Sequence, residues 1–165
     1  MLFDSPDELK VGISDYKTAR SPVKIVTIGL GSCVGITLYE PDNKIGGMLH
    51  VMLPDSTHFK TASNPAKYAD LGIPLLLENI LKLGAKRPLL QAKMAGGAQM
   101  FAFADKTPFM NIGQKNVEMA KNILRGLGIK ILAEDTGENY GRTMILETAT
   151  GAVTIRTAHS PLKRL

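Results

Sequence analysis

The chain has 165 residues, 44% of them hydrophobic and 21% charged, which is enough apolar mass for one core and unlike a disordered segment. Its one cysteine, Cys33, excludes an internal disulfide and suits a reducing compartment such as the cytoplasm, and the absence of tryptophan leaves the core to aliphatics and methionine. The net charge of +5 suits an acidic partner, but the lysines are dispersed, Lys163-Arg164 is the one short basic cluster, and no aromatic-interleaved motif argues for nucleic acid.

The N-terminal run Met1 to Glu8 is acidic and broken by Pro6, unlike a secretory signal. Leu9 to Ser14 reads as a first strand. Val23 to Ile28 alternates and stops at Gly29. Val34 to Tyr39 is a strand of β-branched and aromatic residues, Glu40 to Lys44 carries turn chemistry, and Ile45 to Leu53 is a second strand closed by Pro54. Asn64 caps a helix that begins at Pro65, is kinked or divided by Pro74, and continues to Gly84. The longest apolar stretch, Ile73 to Leu77, is too short for a bilayer and is followed by Glu78, so no membrane insertion is expected. Leu89 to Ala95 is a strand ending at Gly96-Gly97. Asn111 or Gly113 opens a second helix with Val117, Ala120, Ile123 and Leu124 at helical spacing, ended by Gly126 and Gly128. Ile129 to Ala133 is a short strand, and Met144 to Thr148 with Ala152 to Arg156 forms a hairpin around Thr150-Gly151. No repeat or linker divides the chain, so residues 1–165 are expected to form a single domain.

The chemistry concentrates on Cys33, which ends the glycine turn Gly29-Leu30-Gly31-Ser32-Cys33. A hairpin turn centred between Pro41 and Asp42 sets Cys33 directly opposite His50, where facing Cβ atoms stand about 4.5–5.5 Å apart. A slip of one residue would turn His50 to the other face, so the pairing is conditional on that turn. A thiol becomes a useful nucleophile when a neighbouring base takes its proton, which His50 is placed to do. If the chain folds back around Leu30, Thr27 also lies near Cys33, and its hydroxyl or carbonyl can hold the second ring nitrogen of His50. Gly29 and Gly31 allow close backbone approach to a substrate, and the N–H groups of Cys33 and its neighbours Gly31 and Ser32 can form an oxyanion hole.

Each residue also has a plain structural reading. A free cysteine is usually a small buried hydrophobe, a histidine in an apolar strand a satisfied core residue, and a threonine ordinary strand composition. Metal binding fails on ligand count: the other histidines, His58 and His159, read as solvated surface, and no CxxC or HExxH is present. His58, in a polar loop beyond Pro54, is an alternative base. Ser32 lacks a G-x-S-x-G elbow. Gln99 and Gln114 are candidates to line the site.

The run Thr27-Ile28-Gly29-Leu30-Gly31-Ser32-Cys33-Val34, followed by Gly46-Gly47-Met48-Leu49-His50-Val51-Met52-Leu53-Pro54, resembles the CheD family of chemotaxis proteins. The resemblance continues in order through Lys67-Tyr68-Ala69-Asp70, Lys93 to Phe101, Ile112-Gly113-Gln114-Lys115-Asn116, Glu134-Asp135-Thr136-Gly137 and Gly141-Arg142. One departure is Glu138, which stands where the family often has a second glycine.

The resemblance implies a glutamine deamidase acting on chemoreceptor cytoplasmic helices, with Cys33 as nucleophile, His50 as base and Thr27 as its orienting partner. It implies a layered α/β (α+β) fold, with mixed sheets and helices packed on one side, like the cysteine-hydrolase architecture of certain deamidating toxins. It also implies a CheC-type phosphatase as partner, for which Phe101 and Phe103 are candidate contacts. The chemistry requires no metal or organic cofactor. Two other readings stand beside it: a non-catalytic binding module that regulates the phosphatase, and a generic small-amide cysteine hydrolase, which would call for a deep closed pocket.

Overall fold

Among the described residues, two five-stranded mixed sheets lie face to face, and two helices cover the outer face of one of them. The computed structural model describes residues 7–59, 63–100 and 111–165; Phe101 and Phe103 lie outside the described residues. The strands are β1 (Glu8–Val11), β2 (Asp15–Arg20), β3 (Lys24–Leu30), β4 (Val34–Glu40), β5 (Ile45–Val51), β6 (Gln91–Gly96), β7 (Lys130–Thr136), β8 (Arg142–Glu147), β9 (Val153–Arg156) and β10 (Lys163–Arg164). The helices are α1 (Ala69–Lys82) and α2 (Ile112–Gly126). One sheet runs β1-β3-β8-β9-β10 and the other β2-β5-β4-β6-β7; the β1–β3 and β6–β7 pairs are parallel, and the other pairs of these strands are antiparallel.

Strands β4 and β5 are buried on both faces, because each face meets a different layer. Ile36, Leu38, Leu49 and Val51 pack outward against Ile73, Leu76, Ile80 and Leu124 of the helices. Tyr39, Met48 and Ala95 point the other way and join Ile25, Leu30, Met144 and Leu146 of the facing sheet. Period-2 alternation therefore sends Gly46, Met48 and His50 into the layer between the sheets. On β3 the same alternation turns Thr27 inward with Ile25 and leaves Ile28 65% exposed. Gly35, opposite His50, lets the sheets close here: a Cβ at that position would lie 2.8 Å from the Met144 sulfur.

The mixed-sheet architecture with helices on one side is the one expected, and four details differ. The β4–β5 hairpin pairs Glu40 with Ile45 and Gly35 with His50, so its loop is Pro41 to Lys44 and Cys33 does not face His50 directly. Glu40 sets this longer loop: its buried carboxylate accepts the Asn43 backbone N–H (2.6 Å) and side-chain amide (2.7 Å), while Lys44 turns the chain with φ 51°. Strand β3 does not fold back onto β4 but belongs to the other sheet, so Thr27 approaches the site across the inter-sheet layer. The first strand stops at Val11, and the polar stretch Asp15–Arg20 forms the edge strand β2 against β5, as charged side chains at a sheet edge permit.

The fourth difference concerns Pro74, which sits inside α1 without dividing it. The break falls earlier, at Tyr68 (φ −116°, ψ 138°), between α1 and a 3-10 turn Pro65–Lys67 capped by Asn64, whose side chain accepts the Ala66 N–H (3.1 Å). Pro74 lies on the solvent face, where a helix can bend away from its ring.

Candidate active site

Strand alternation and the sandwich bring Thr27 and His50 together from opposite sheets. The Thr27 hydroxyl donates to the Val11 carbonyl oxygen at 2.7 Å and lies 2.7 Å from His50 Nδ1. A hydroxyl has one proton, and Val11 takes it, so at His50 the oxygen must accept. Nδ1 therefore carries the imidazole proton, and Nε2 bears the free lone pair. Nε2 is buried and finds no hydrogen-bond partner among the described residues. The result is a neutral imidazole whose only unoccupied nitrogen is basic, with both Thr27 and His50 essentially inaccessible at 1% and 0% exposure.

Cys33 precedes β4 and is half-buried. The register sets it diagonally from His50 on the same face, since a shift of two residues preserves side-chain parity. Diagonal neighbours stand about 7–8 Å apart, within reach of long or ring side chains. Three carbonyls fix the loop that carries it. Gly31 C=O accepts from Ala98 N–H (2.8 Å), Ser32 C=O from the Asn116 side chain (2.9 Å), and Cys33 C=O from Gly97 N–H (2.8 Å). In a trans peptide the N–H points opposite the preceding C=O, so these anchors turn the N–H groups of Ser32 and Cys33 away from them. The N–H of Gly31 is already held by the Gly29 carbonyl (3.1 Å). Gly96 (φ 106°) is obligatory beside this loop, because a Cβ there would overlap the Cys33 carbonyl oxygen.

Burial governs the electrostatics. It pushes the Cys33 thiol above its ordinary value, against a smaller pull from its own backbone N–H. It pushes the His50 imidazole down to about 4, opposed by the charge of Asp15. Asp15 sits directly across from His50 in the β2–β5 pairing. Burial works to raise its carboxyl, but bonds from Lys17 (2.8 Å), Gly12 N–H (3.2 Å) and Tyr16 N–H (2.8 Å) outweigh that and hold it below the usual range. Burial thus disfavours the charged form of both the thiol and the imidazole.

His58 and His159 are exposed, and His58 lies 3.9 Å from Asp55. Gln99 and Gln114 are exposed and line a cleft with Gly97, whose N–H holds the Cys33 carbonyl, and with Asn111 and Glu138. Among the described residues no group of three His, Cys, Asp or Glu side chains converges as metal ligands would. Two contributors, Asp15 and Asn116, escape the sequence reading. A turn signal, Gly12 to Asp15, marks the first. The second closes the family run Ile112 to Asn116, which gives it no role, and stands as a polar residue on the buried stripe of α2, four before Ala120.

Residues 52–157 match the family model described as CheD chemotactic sensory transduction. Thr27, Cys33 and His50 precede that stretch, so their grouping rests on the geometry above. The chain is 57% identical over 156 residues to a probable chemoreceptor glutamine deamidase CheD of Desulforamulus reducens, covering 94% of each chain. It is 54% identical over 151 residues to the protein of the same name in Clostridium novyi, covering 92% of this chain and 93% of that one. With the one in Clostridium kluyveri it shares 52% identity over 158 residues, covering 96% and 98%.

Proposed function

The chain belongs to the CheD family, and from that premise we propose that it deamidates glutamine side chains of chemoreceptors, with Cys33 as nucleophile, His50 as base and Thr27 as the group that orients the base. The observation that carries this reading is the Thr27 hydroxyl held between Val11 C=O and His50 Nδ1, which leaves Nε2 as the free base of a side chain on the same hairpin face as Cys33.

The reaction follows from these groups. When substrate enters, Nε2 takes the thiol proton as Sγ attacks the carboxamide carbon. The oxygen gains negative charge, and the N–H groups of Ser32 and Cys33 are the donors that stabilise it. Imidazolium returns its proton to the leaving nitrogen, ammonia departs, and a thioester remains. Water, deprotonated by Nε2, then releases glutamate and the thiol. Catalytic hydrogen bonds are often long before substrate binds, consistent with an Nε2 that is unpaired at rest. A base so placed contributes about 10²–10⁴ in rate.

A protein substrate suits the surroundings better than a small amide. Exposed apolar side chains sit on the segments that frame Cys33: Ile28 before the glycine turn, Met52 after β5, and Met100, whose side chain lies against Gly31. Among the described residues no helix is long and apolar enough to cross a membrane. Action on receptor cytoplasmic helices from the cytoplasm, by one domain spanning the chain, fits both observations. The CheC-type phosphatase implied by the sequence resemblance is a further proposed partner.

Mass spectrometry of a receptor cytoplasmic fragment incubated with the protein, beside Cys33→Ala, tests the proposal. The expected result is a gain of about 1 Da per modified glutamine, absent with the variant, as a cysteine acyl-transfer route requires. No gain with the folded, thiol-intact protein would leave the phosphatase-binding role as the better reading.

A further inference from the structure

Asn116 lies on the buried stripe of α2 and is fully inaccessible. Its Nδ2 donates to two carbonyls, Ser32 at 2.9 Å and Met52 at 3.0 Å. Both partners are pure acceptors, which fixes the amide with its nitrogen toward them. Ser32 immediately precedes Cys33, and Met52 lies two residues beyond His50. One side chain therefore joins the loop of the nucleophile to the strand of the base, and ties both to a third element. Its Oδ1 is buried and has no partner among the described residues. An orphaned acceptor costs stability that an apolar side chain of the same volume would not, so packing alone does not account for an asparagine here.

We propose that Asn116 is a positioning residue that sets the separation of Cys33 from His50, acting through the Ser32 and Met52 carbonyls and not by touching substrate. This rests on the Cys33–His50 reading above. The two anchors matter because the pair is diagonal rather than directly opposed in the hairpin. The ladder pairs His50 with Gly35 and not with Cys33, and a displacement of about 1 Å at such a site can cost about 10²-fold in rate. The second carbonyl is the informative one. A residue that only anchored the cysteine loop would need Ser32, and a residue that only capped β5 would need Met52.

The test is the pH profile of Cys33 alkylation by iodoacetamide in the free protein, with kcat and KM on a receptor fragment measured alongside. The variants are Asn116→Leu, which keeps the volume and removes both donors, and His50→Ala as the unassisted reference. Leu124→Ala serves as a packing loss on the same helix. In folded Asn116→Leu the alkylation profile should move from that of the unmodified protein to that of His50→Ala. Deamidation kcat should fall by at least about 30-fold with KM changed less than about threefold. Leu124→Ala should lower stability and leave the alkylation profile in place. If Asn116→Leu does not fold, Asn116→Ser, which reaches at most one carbonyl, takes its place in the same comparison. A wild-type alkylation profile in either folded Asn116 variant would overturn the proposal, as would an equal shift in Leu124→Ala. If His50→Ala itself leaves the profile unmoved, the Cys33–His50 pairing fails and the positioning role falls with it. Because alkylation needs no receptor, it tests the role of Asn116 even in a protein that deamidates nothing.

Discussion

Thr27 carries one hydroxyl proton, and the neighbour that receives it decides the chemistry of His50. Val11 receives it, so Nδ1 is protonated and Nε2 is basic. Thr27→Val removes that constraint while keeping the side-chain shape. The expected outcome is a folded protein whose kcat for ammonia release falls by about 10²–10³, with KM little changed, because the imidazole can then populate the wrong tautomer. Thr27→Ser should retain most of the rate. The sequence suggests Thr27 as a partner of His50 from proximity within one chain turn. The contact exists, but by a different route: β1 supplies the proton acceptor, and β3 reaches β5 across the layer between sheets. No local pattern encodes which sheet a strand joins. Glu138 is a smaller case at this scale. The residue that stands in place of a glycine adopts φ 62°, a conformation glycine enters without strain.

At the scale of elements, the segment from Gly29 to Val34 is held by three donors from outside it, and Gly96-Gly97 supplies the tightest approach. Gly96→Ala places a Cβ against the Cys33 carbonyl at a positive φ, so both the strain and the overlap fall on backbone. The expected loss is about 2–4 kcal/mol in denaturant midpoint analysis, with deamidation lost even in the fraction that remains folded. Periodicity makes most elements legible: β3, β4, β5, β6, β7 and both helices lie within a few residues of where alternation and apolar spacing put them. What escapes is controlled by side chains acting on backbone. Glu40 lengthens the hairpin loop by binding Asn43, and Asp15 ends a turn and begins an edge strand with little apolar content. The hairpin register differs from the expected one by two residues, and parity spares the site, since a difference of one would put His50 among the helices.

For the molecule as a whole, placing a histidine between two sheets has a thermodynamic consequence. Burial lowers the His50 value from 6.5 to about 4. Between those two pH values the unfolded chain binds a proton that the folded chain refuses, so stability rises with pH across the window and falls as pH drops through it. The shift corresponds to about 3 kcal/mol, present in full above pH 6.5 and lost by about pH 4. Chemical denaturation from pH 7 to 4 should show this loss in the unmodified protein. In His50→Leu the loss over the same range should be smaller by about that amount. The layered class is legible from the family resemblance, but the pairing of the two sheets, which makes this burial possible, is a long-range property that no window of sequence contains.

The tautomeric state of His50 in the free protein, read by 15N NMR on histidine-labelled material as pH is lowered, bears most directly on the proposed base. The expected spectrum is that of a neutral ring protonated at Nδ1 and bare at Nε2 from pH 7 down to about 4, collapsing to a tautomer mixture in Thr27→Val. A ring protonated at Nε2, or an imidazolium already present at pH 7, would contradict it.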